Sequence, residues 1–223
     1  MKKYELTDDT ITVEGRTLHR IKALKSFSNV EEGELGGYVE KEDNLDQRGD
    51  AWVYGDARVS GDAQVSGDAR MYGNAQVSGD AWVYGNAQVS GDAWVYGDAR
   101  VSGDAWVYGD ARVSGDAQVS GDAWVYGDAQ VSGDAWVYGD ARVSGNARVS
   151  GENDYTTAKG FGREYRPTTF FRLKDGGIGV QCGCFYGTLD EFRAKVKETH
   201  KESKMGKEYL MLADLMEYKF KDA

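Results

Sequence analysis

From Ala51 to Glu152 the chain is an unbroken hexapeptide repeat. Seventeen consecutive units read Ala-x-Val-(Ser or Tyr)-Gly-(Asp or Asn), with Met71 the only substitute for valine and Glu152 closing the last unit. A fixed short period means one small structural unit that gains its stability by stacking on its neighbours. Within a unit, Ala and Val stand two apart, so on an extended strand they share one face, while x and Ser/Tyr share the other. The Gly-Asp or Gly-Asn pair supplies residues that tolerate positive φ or close an Asx turn, so each strand ends in a corner. A flat sheet of such short strands could not bury so narrow an Ala/Val face. Strand and corner in alternation therefore predict a coil, with Ala and Val inside.

The sequence also carries longer regularities, which test the length of one coil. Residues 51–86 recur as 105–140, differing only at Arg70/Trp124, Met71/Val125, Asn74/Asp128 and Asn86/Asp140. The offset is nine hexads, as a coil of three hexads would require. Trp52, Trp82, Trp94 and Trp124 each have an arginine three hexads later, at Arg70, Arg100, Arg112 and Arg142. Coils about 4.8 Å apart would bring these pairs into cation–π contact on the outer faces. Tandem duplication without selection for stacking would leave the same regularities.

Units such as Val65-Ser66-Gly67-Asp68-Ala69-Arg70 resemble the hexapeptide pattern of the left-handed parallel β-helix family. That resemblance implies triangular coils, each built from three hexads, so the nine-hexad offset would be three whole coils. With Leu45–Asp50 counted as a degenerate first hexad, the expectation is a mainly β protein: a left-handed parallel β-helix of about six coils over residues 45–152. An open stack needs covered ends, and the flanks are suited to that. Residues 1–44 read as a β-rich N-terminal cap, with strands near 4–6, 10–13 and 17–24 and a turn at Glu14-Gly15. Residues 153–223 read as an α+β C-terminal domain. Its hairpin joins Phe170–Leu173 to Ile178–Gln181, and the capping box Thr188-Leu189-Asp190-Glu191 opens a helix to about His200. A second helix is expected over 204–219, with Tyr209, Leu212, Leu215 and Met216 on one face.

The chain is also similar to phage and prophage hexapeptide-repeat proteins labelled polymer-forming or cytoskeleton-like. The similarity rests on Leu35-Gly36-Gly37-Tyr38-Val39-Glu40, the Tyr/Ser array, and Cys182-Gly183-Cys184-Phe185-Tyr186-Gly187-Thr188-Leu189. It implies a mobile-element origin and brings no activity with it.

Many left-handed β-helix proteins are acyltransferases, which need a histidine base, or carbonic anhydrases, which need three histidines on zinc. Between Ala51 and Glu152 there is no histidine, and His19 and His200 lie in the flanks. The expectation is a protein that is not an enzyme, with no catalytic residues and no cofactor. One Cys-Gly-Cys lacks the spacing and the second pair of a zinc site, so Cys182 and Cys184 read as reduced thiols and no metal is expected. No apolar run is long enough to span a bilayer, and MKKYELTDDT turns acidic before a signal-peptide core could form. These features predict a cytoplasmic protein, in a bacterial host if phage-encoded, without membrane contact.

The formal net charge is −10, of which the array carries −8 through thirteen Asp, one Glu and six Arg. That balance excludes nonspecific nucleic-acid binding and leaves three uses for the corner aspartates: capping their own corners by Asx turns, holding calcium, or imitating DNA. A coil of three hexads collects Trp52, Tyr54, Tyr72, Trp106, Tyr108, Trp124 and Tyr126 on one face. Aromatic patches mark contact surfaces, although packing between coils would also account for them. The expected binding ridge is Trp106, Tyr108, Trp124 and Tyr126, with Arg142 on the same face and Arg112 on the adjoining one.

The reading is a non-catalytic β-helical scaffold that assembles as a homo-oligomer or binds a partner through this acidic, aromatic surface. One alternative is an anti-defence protein that sequesters a nucleotide signal or inhibits a host immune protein. Arg163, Arg166 and Arg172 would then be its anion-binding residues. The other alternative is a filament or virion component polymerising end to end.

Overall fold

The computed structural model describes residues 2–162 and 165–221. The corner glycines from Gly49 to Gly145 all take φ between 60° and 74°, a region in which a side chain costs energy and glycine does not. Each corner turns the chain into a short rung, from Trp52–Val53 to Arg148–Val149. Each rung pairs in parallel with the one three hexads on: Trp52 with Arg70, Gln88 with Trp106, Trp106 with Trp124. The result is a three-sided parallel β-solenoid of about six coils. Its sides carry six rungs (58–149), six rungs (52–143) and five rungs (64–137). Every Ala and Val of the array, and Met71, is buried in one continuous column.

Upstream of the array, β1 (Tyr4–Val13) and β2 (Arg16–Ala23) form an antiparallel hairpin through Glu14 and Gly15, both at positive φ. The two strands expected at 4–6 and 10–13 are one strand with an irregularity between Leu6 and Thr10. β3 (Leu35–Val39) lies antiparallel to β2 and parallel to the rung Arg58–Val59. The Gly36-Gly37 pair allows this approach, since a Cβ on Gly37 would stand 2.4 Å from the Ala57 carbonyl oxygen. Here Tyr38 pairs with Arg58 and Leu45 with Val65, a longer step than three hexads, so the regular pitch begins only at the array. Tyr4, Ile21, Ala23 and Val39 join the column of the rod.

A parallel stack exposes unpaired carbonyls at its first coil, and here five of them are matched to donors. Tyr38 N donates to Ala57 O (2.9 Å), Glu40 N to Val59 O (3.0 Å) and Asp46 N to Val65 O (2.9 Å). Asn44 Nδ2 donates to Ala63 O (2.9 Å) and the buried Lys3 ammonium to Ala51 O (2.9 Å). Burial pulls the Lys3 amine down to about 8, against the opposing pull of Asp46 and Asp50. With the folded value below the unfolded one, the unfolded chain holds the extra proton between about pH 8 and 10.5, and stability from this group rises with pH across that window. Denaturation midpoints measured from pH 7 to 10.5 should therefore climb in the wild type relative to Lys3→Met. Parallel curves for the two proteins would contradict the burial of this amine.

Downstream, β4 (Tyr155–Ala158), β5 (Thr168–Arg172), β6 (Ile178–Cys182) and β7 (Phe185–Thr188) form an antiparallel sheet in chain order. It packs under α1 (Leu189–His200) and α2 (Lys204–Phe220) around Phe170, Val180, Phe192, Tyr209 and Met216. Both halves of the capping box form: Glu191 N donates to Thr188 Oγ1 (3.3 Å), and Thr188 N donates to Glu191 Oε2 (2.7 Å). In α2, Tyr209, Leu212, Ala213, Met216 and Phe220 face the core. Leu215, expected beside them, is exposed, because it lies one residue, about 100° of helix, from Met216.

This unit also closes the last coil. Arg142 N donates to Thr169 Oγ1 (2.9 Å), Ser150 N to Asp154 Oδ2 (2.8 Å), Tyr155 OH to Trp136 O (2.6 Å) and Lys174 N to Asn146 O (3.0 Å). No helix among the described residues is long and apolar enough to cross a membrane.

Candidate functional site

The six-rung side that begins with Trp52–Val53 carries the aromatic row. Its ladder places Trp106 directly below Trp124, with ring centroids 5.2 Å apart and planes 6° from parallel. Tyr108 and Tyr126 stack alongside at 4.9 Å and 1°, and Tyr108 meets Trp124 edge-on at 6.2 Å. Burial in this stack, and then the neighbouring Tyr126 hydroxyl, raise the Tyr108 phenol above its ordinary value. The Arg142 guanidinium lies 4.7 Å over the Trp124 ring. Trp124 is thus covered by an indole on one side and a cation on the other. Arg112 sits on the adjoining side, 5.7 Å over Trp94, and Arg100 lies 5.9 Å over Trp82.

This geometry limits what the ridge can do. Rings stacked along the rod axis hide their faces from solvent and present their edges. Such a surface suits apolar contact with another protein surface; a nucleobase or sugar would need open ring faces on which to lie.

Trp52 departs from the expected ridge. It is fully buried, held edge-on by Phe27 at 5.4 Å and Tyr4 at 6.2 Å. Its predicted cation–π partner Arg70 instead donates to Ser28 Oγ (3.2 Å). The segment between β2 and β3 folds over this first rung and removes it from the surface. Tyr54 stacks on Tyr72 at 4.7 Å and donates to Asn29 Oδ1, so the lower end of the row is partly covered too.

The corner aspartates do not form Asx turns in the array. The N–H two residues after each belongs to position x, and in every coil but the last the ladder already uses it, as in Arg58 N to Ala75 O and Gln76 N to Ala93 O (both 2.9 Å). At two corners an asparagine replaces the repulsion with a bond: Asn74 Nδ2 donates to Asp92 Oδ1 and Asn86 Nδ2 to Asp104 Oδ1, each at 2.9 Å. A third edge, from Asp62 through Asp80, Asp98, Asp116 and Asp134 to Glu152, has no asparagine. The Lys41 ammonium at 2.5 Å holds the Asp62 carboxyl below its usual range. No cluster of acidic, His or Cys side chains with metal-binding geometry occurs among the described residues.

The flank residues spread apart. Arg163 lies outside the described residues. Arg166 borders a cavity of about 680 Å³ with Cys182, His200, Lys204 and Tyr209. Arg172 instead pairs with Asp154 (3.5 Å), donates to Phe220 O (2.6 Å) and borders a separate cavity of about 730 Å³. The structure does not bring Arg166 and Arg172 together. His19 Nδ1 lies 3.1 Å from Thr7 O, and the His200 ring packs on Tyr209 at 5.7 Å. Cys182 and Cys184 are free thiols at the turn between β6 and β7.

Sequence reasoning missed a second aromatic group. Trp136 and Tyr138, in the last coil, meet Tyr155 from β4. The pair was visible in its hexad; Tyr155, beyond the repeat, gave no signal.

The repeat matches the family model described as YdcK Beta solenoid repeat, at residues 51–67, 63–79, 75–91, 87–103, 93–109, 105–121, 117–133, 129–143 and 141–152. No curated protein matches the chain.

Proposed function

We propose that this β-solenoid repeat protein is a non-catalytic scaffold whose aromatic side mediates lateral association of two copies. The observation that carries the reading is the stack of Trp106 on Trp124, flanked by Tyr108 and Tyr126 and covered by Arg142. A two-fold axis between Trp106 and Trp124 would lay ridge on ridge and set Arg142 opposite Gln88, with no like charges facing along that row. Lateral contact is favoured over end-to-end growth because both ends of the rod already have hydrogen-bonded partners. A filament would have to displace Lys3 and β3 at one end and Thr169 and Asp154 at the other.

Sedimentation of the wild type should give a dimer. The Trp106→Ser/Trp124→Ser double variant should keep its circular dichroism and associate at least about thirty-fold more weakly, as loss of a buried tryptophan anchor implies. Because acidic corners border the ridge, dimerisation should strengthen as salt rises toward about 0.5 M. A wild-type monomer at all concentrations would refute this reading.

Within the same reading we take the coil as left-handed and the protein as phage- or prophage-type, acting in the cytoplasm of a bacterial host. Support comes from the hexad pattern and the two flanking motifs. An anti-defence role is the second reading. The unbroken acidic edge from Asp62 to Glu152 favours imitation of DNA, whereas the separation of Arg166 from Arg172 weighs against a shared nucleotide pocket.

A further inference from the structure

At the junction of the five-rung side and the C-terminal unit, Trp136, Tyr138 and Tyr155 line a cavity of about 330 Å³ together with Glu152, Thr156, Thr157 and Lys219. The Trp136 and Tyr138 rings are 5.1 Å apart with planes at 48°, and Tyr155 stands at 85° to Tyr138, 6.4 Å away. Two of the rings are anchored by their polar atoms. The Trp136 indole N–H donates to Ser120 Oγ (3.0 Å) and the Tyr155 hydroxyl to the Trp136 carbonyl (2.6 Å). With those atoms occupied, the two rings themselves offer a ligand π surface, and Glu152, Thr156 and Thr157 add a carboxylate and two threonines to the remaining wall.

The ring angles select the shape of the ligand. A flat ring or a sugar can lie along one plane; only a compact, nearly spherical group can touch three planes inclined like these. Charge selects the sign: ring faces are electronegative and the Glu152 carboxylate at the cavity is anionic. An unsubstituted ammonium would need an acceptor for each of its N–H bonds, and the three ring walls provide none. A methylated ammonium spreads its charge over methyl groups and needs none. We propose that this cavity binds a methylated ammonium head group. Lys219 stands at its rim with Nζ 6.0 Å from the Phe220 ring centroid, and its charge opposes the ligand.

The test is calorimetric titration of the full chain with choline and with 3,3-dimethylbutan-1-ol, which has the same shape without the charge. Choline should saturate, and the alcohol should bind about ten-fold or more weakly, the range expected for a partly desolvated cation–π contact. Tyr138 is 57% exposed, so Tyr138→Ala should keep the fold and weaken choline about ten-fold. Glu152→Gln should weaken it about three-fold, and Lys219→Gln should strengthen it by a similar factor. The relative affinity of Nε-trimethyl-lysine shows whether the head group arrives free or on a longer chain. Equal binding of choline and the alcohol, no saturation by choline, or wild-type affinity in Tyr138→Ala would each overturn the assignment.

Discussion

Replacing Gly103 with alanine is expected to cost the rod about 3 kcal/mol or more, while the same change at Gly139 should cost only about 1 to 2 kcal/mol. The two glycines have nearly the same backbone, φ 68° and 66°, so both variants bear the left-handed strain of an L side chain. They differ in what lies next to them. A Cβ on Gly103 would stand 2.9 Å from Gly121 N and 3.1 Å from Gly121 O, backbone atoms of the next coil fixed by the ladder. A Cβ on Gly139 meets nothing within 4 Å among the described residues. Urea midpoints for the two variants measure the difference directly. Equal losses would mean that the coils do not stack with glycine over glycine, and the three-hexad register would be wrong.

Trp52→Ala should be the most damaging change at any tryptophan of the array, at about 3–5 kcal/mol, the usual cost of emptying a fully buried aromatic site. Trp106→Ala should cost about 1 kcal/mol, the order of one exposed stacking contact. Trp52→Phe should lie near the small end, because the Trp52 indole N–H has no hydrogen-bond partner among the described residues to lose. Thermal melts rank the three variants. Fluorescence supplies a second check, since removing Trp52 should delete the most blue-shifted emission. If Trp52→Ala and Trp106→Ala melt together, the segment around Phe27 does not cover the first rung.

These two tryptophans also show where the sequence stops being informative. Residues 51–56 and 105–110 are the same hexapeptide, Ala-Trp-Val-Tyr-Gly-Asp. One tryptophan is core and the other surface. The inward turn of Ala and Val, the corner at each glycine and the three-hexad pitch were legible because every unit meets the same local demand. The helix start at Thr188 was legible because a capping box is complete within a single short stretch of chain. The fate of Trp52 depends on Tyr4 in β1 and Phe27 in the segment between β2 and β3, which reach it across long sequence separations by packing that no local pattern encodes. The Asx turns failed for a related reason: an aspartate alone favours that turn, but the N–H it requires belongs to a ladder formed with the next coil. Tyr155 joined Trp136 and Tyr138 in the same way, by a contact between a repeat and a segment outside it.

The register of the rod also makes it an indexing device. Each hexad advances the chain by one side, and three hexads return it to the side it left. Inserting or deleting a whole coil would alter the distance between the two end units and leave their relative azimuth unchanged. Inserting a single hexad would rotate the C-terminal unit by a third of a turn, so Arg142 and its successors would face a different direction from Arg70. Chains built on this plan can therefore vary length in whole-coil steps and preserve which surfaces face the same way, whereas a change of one hexad alters orientation as well as length.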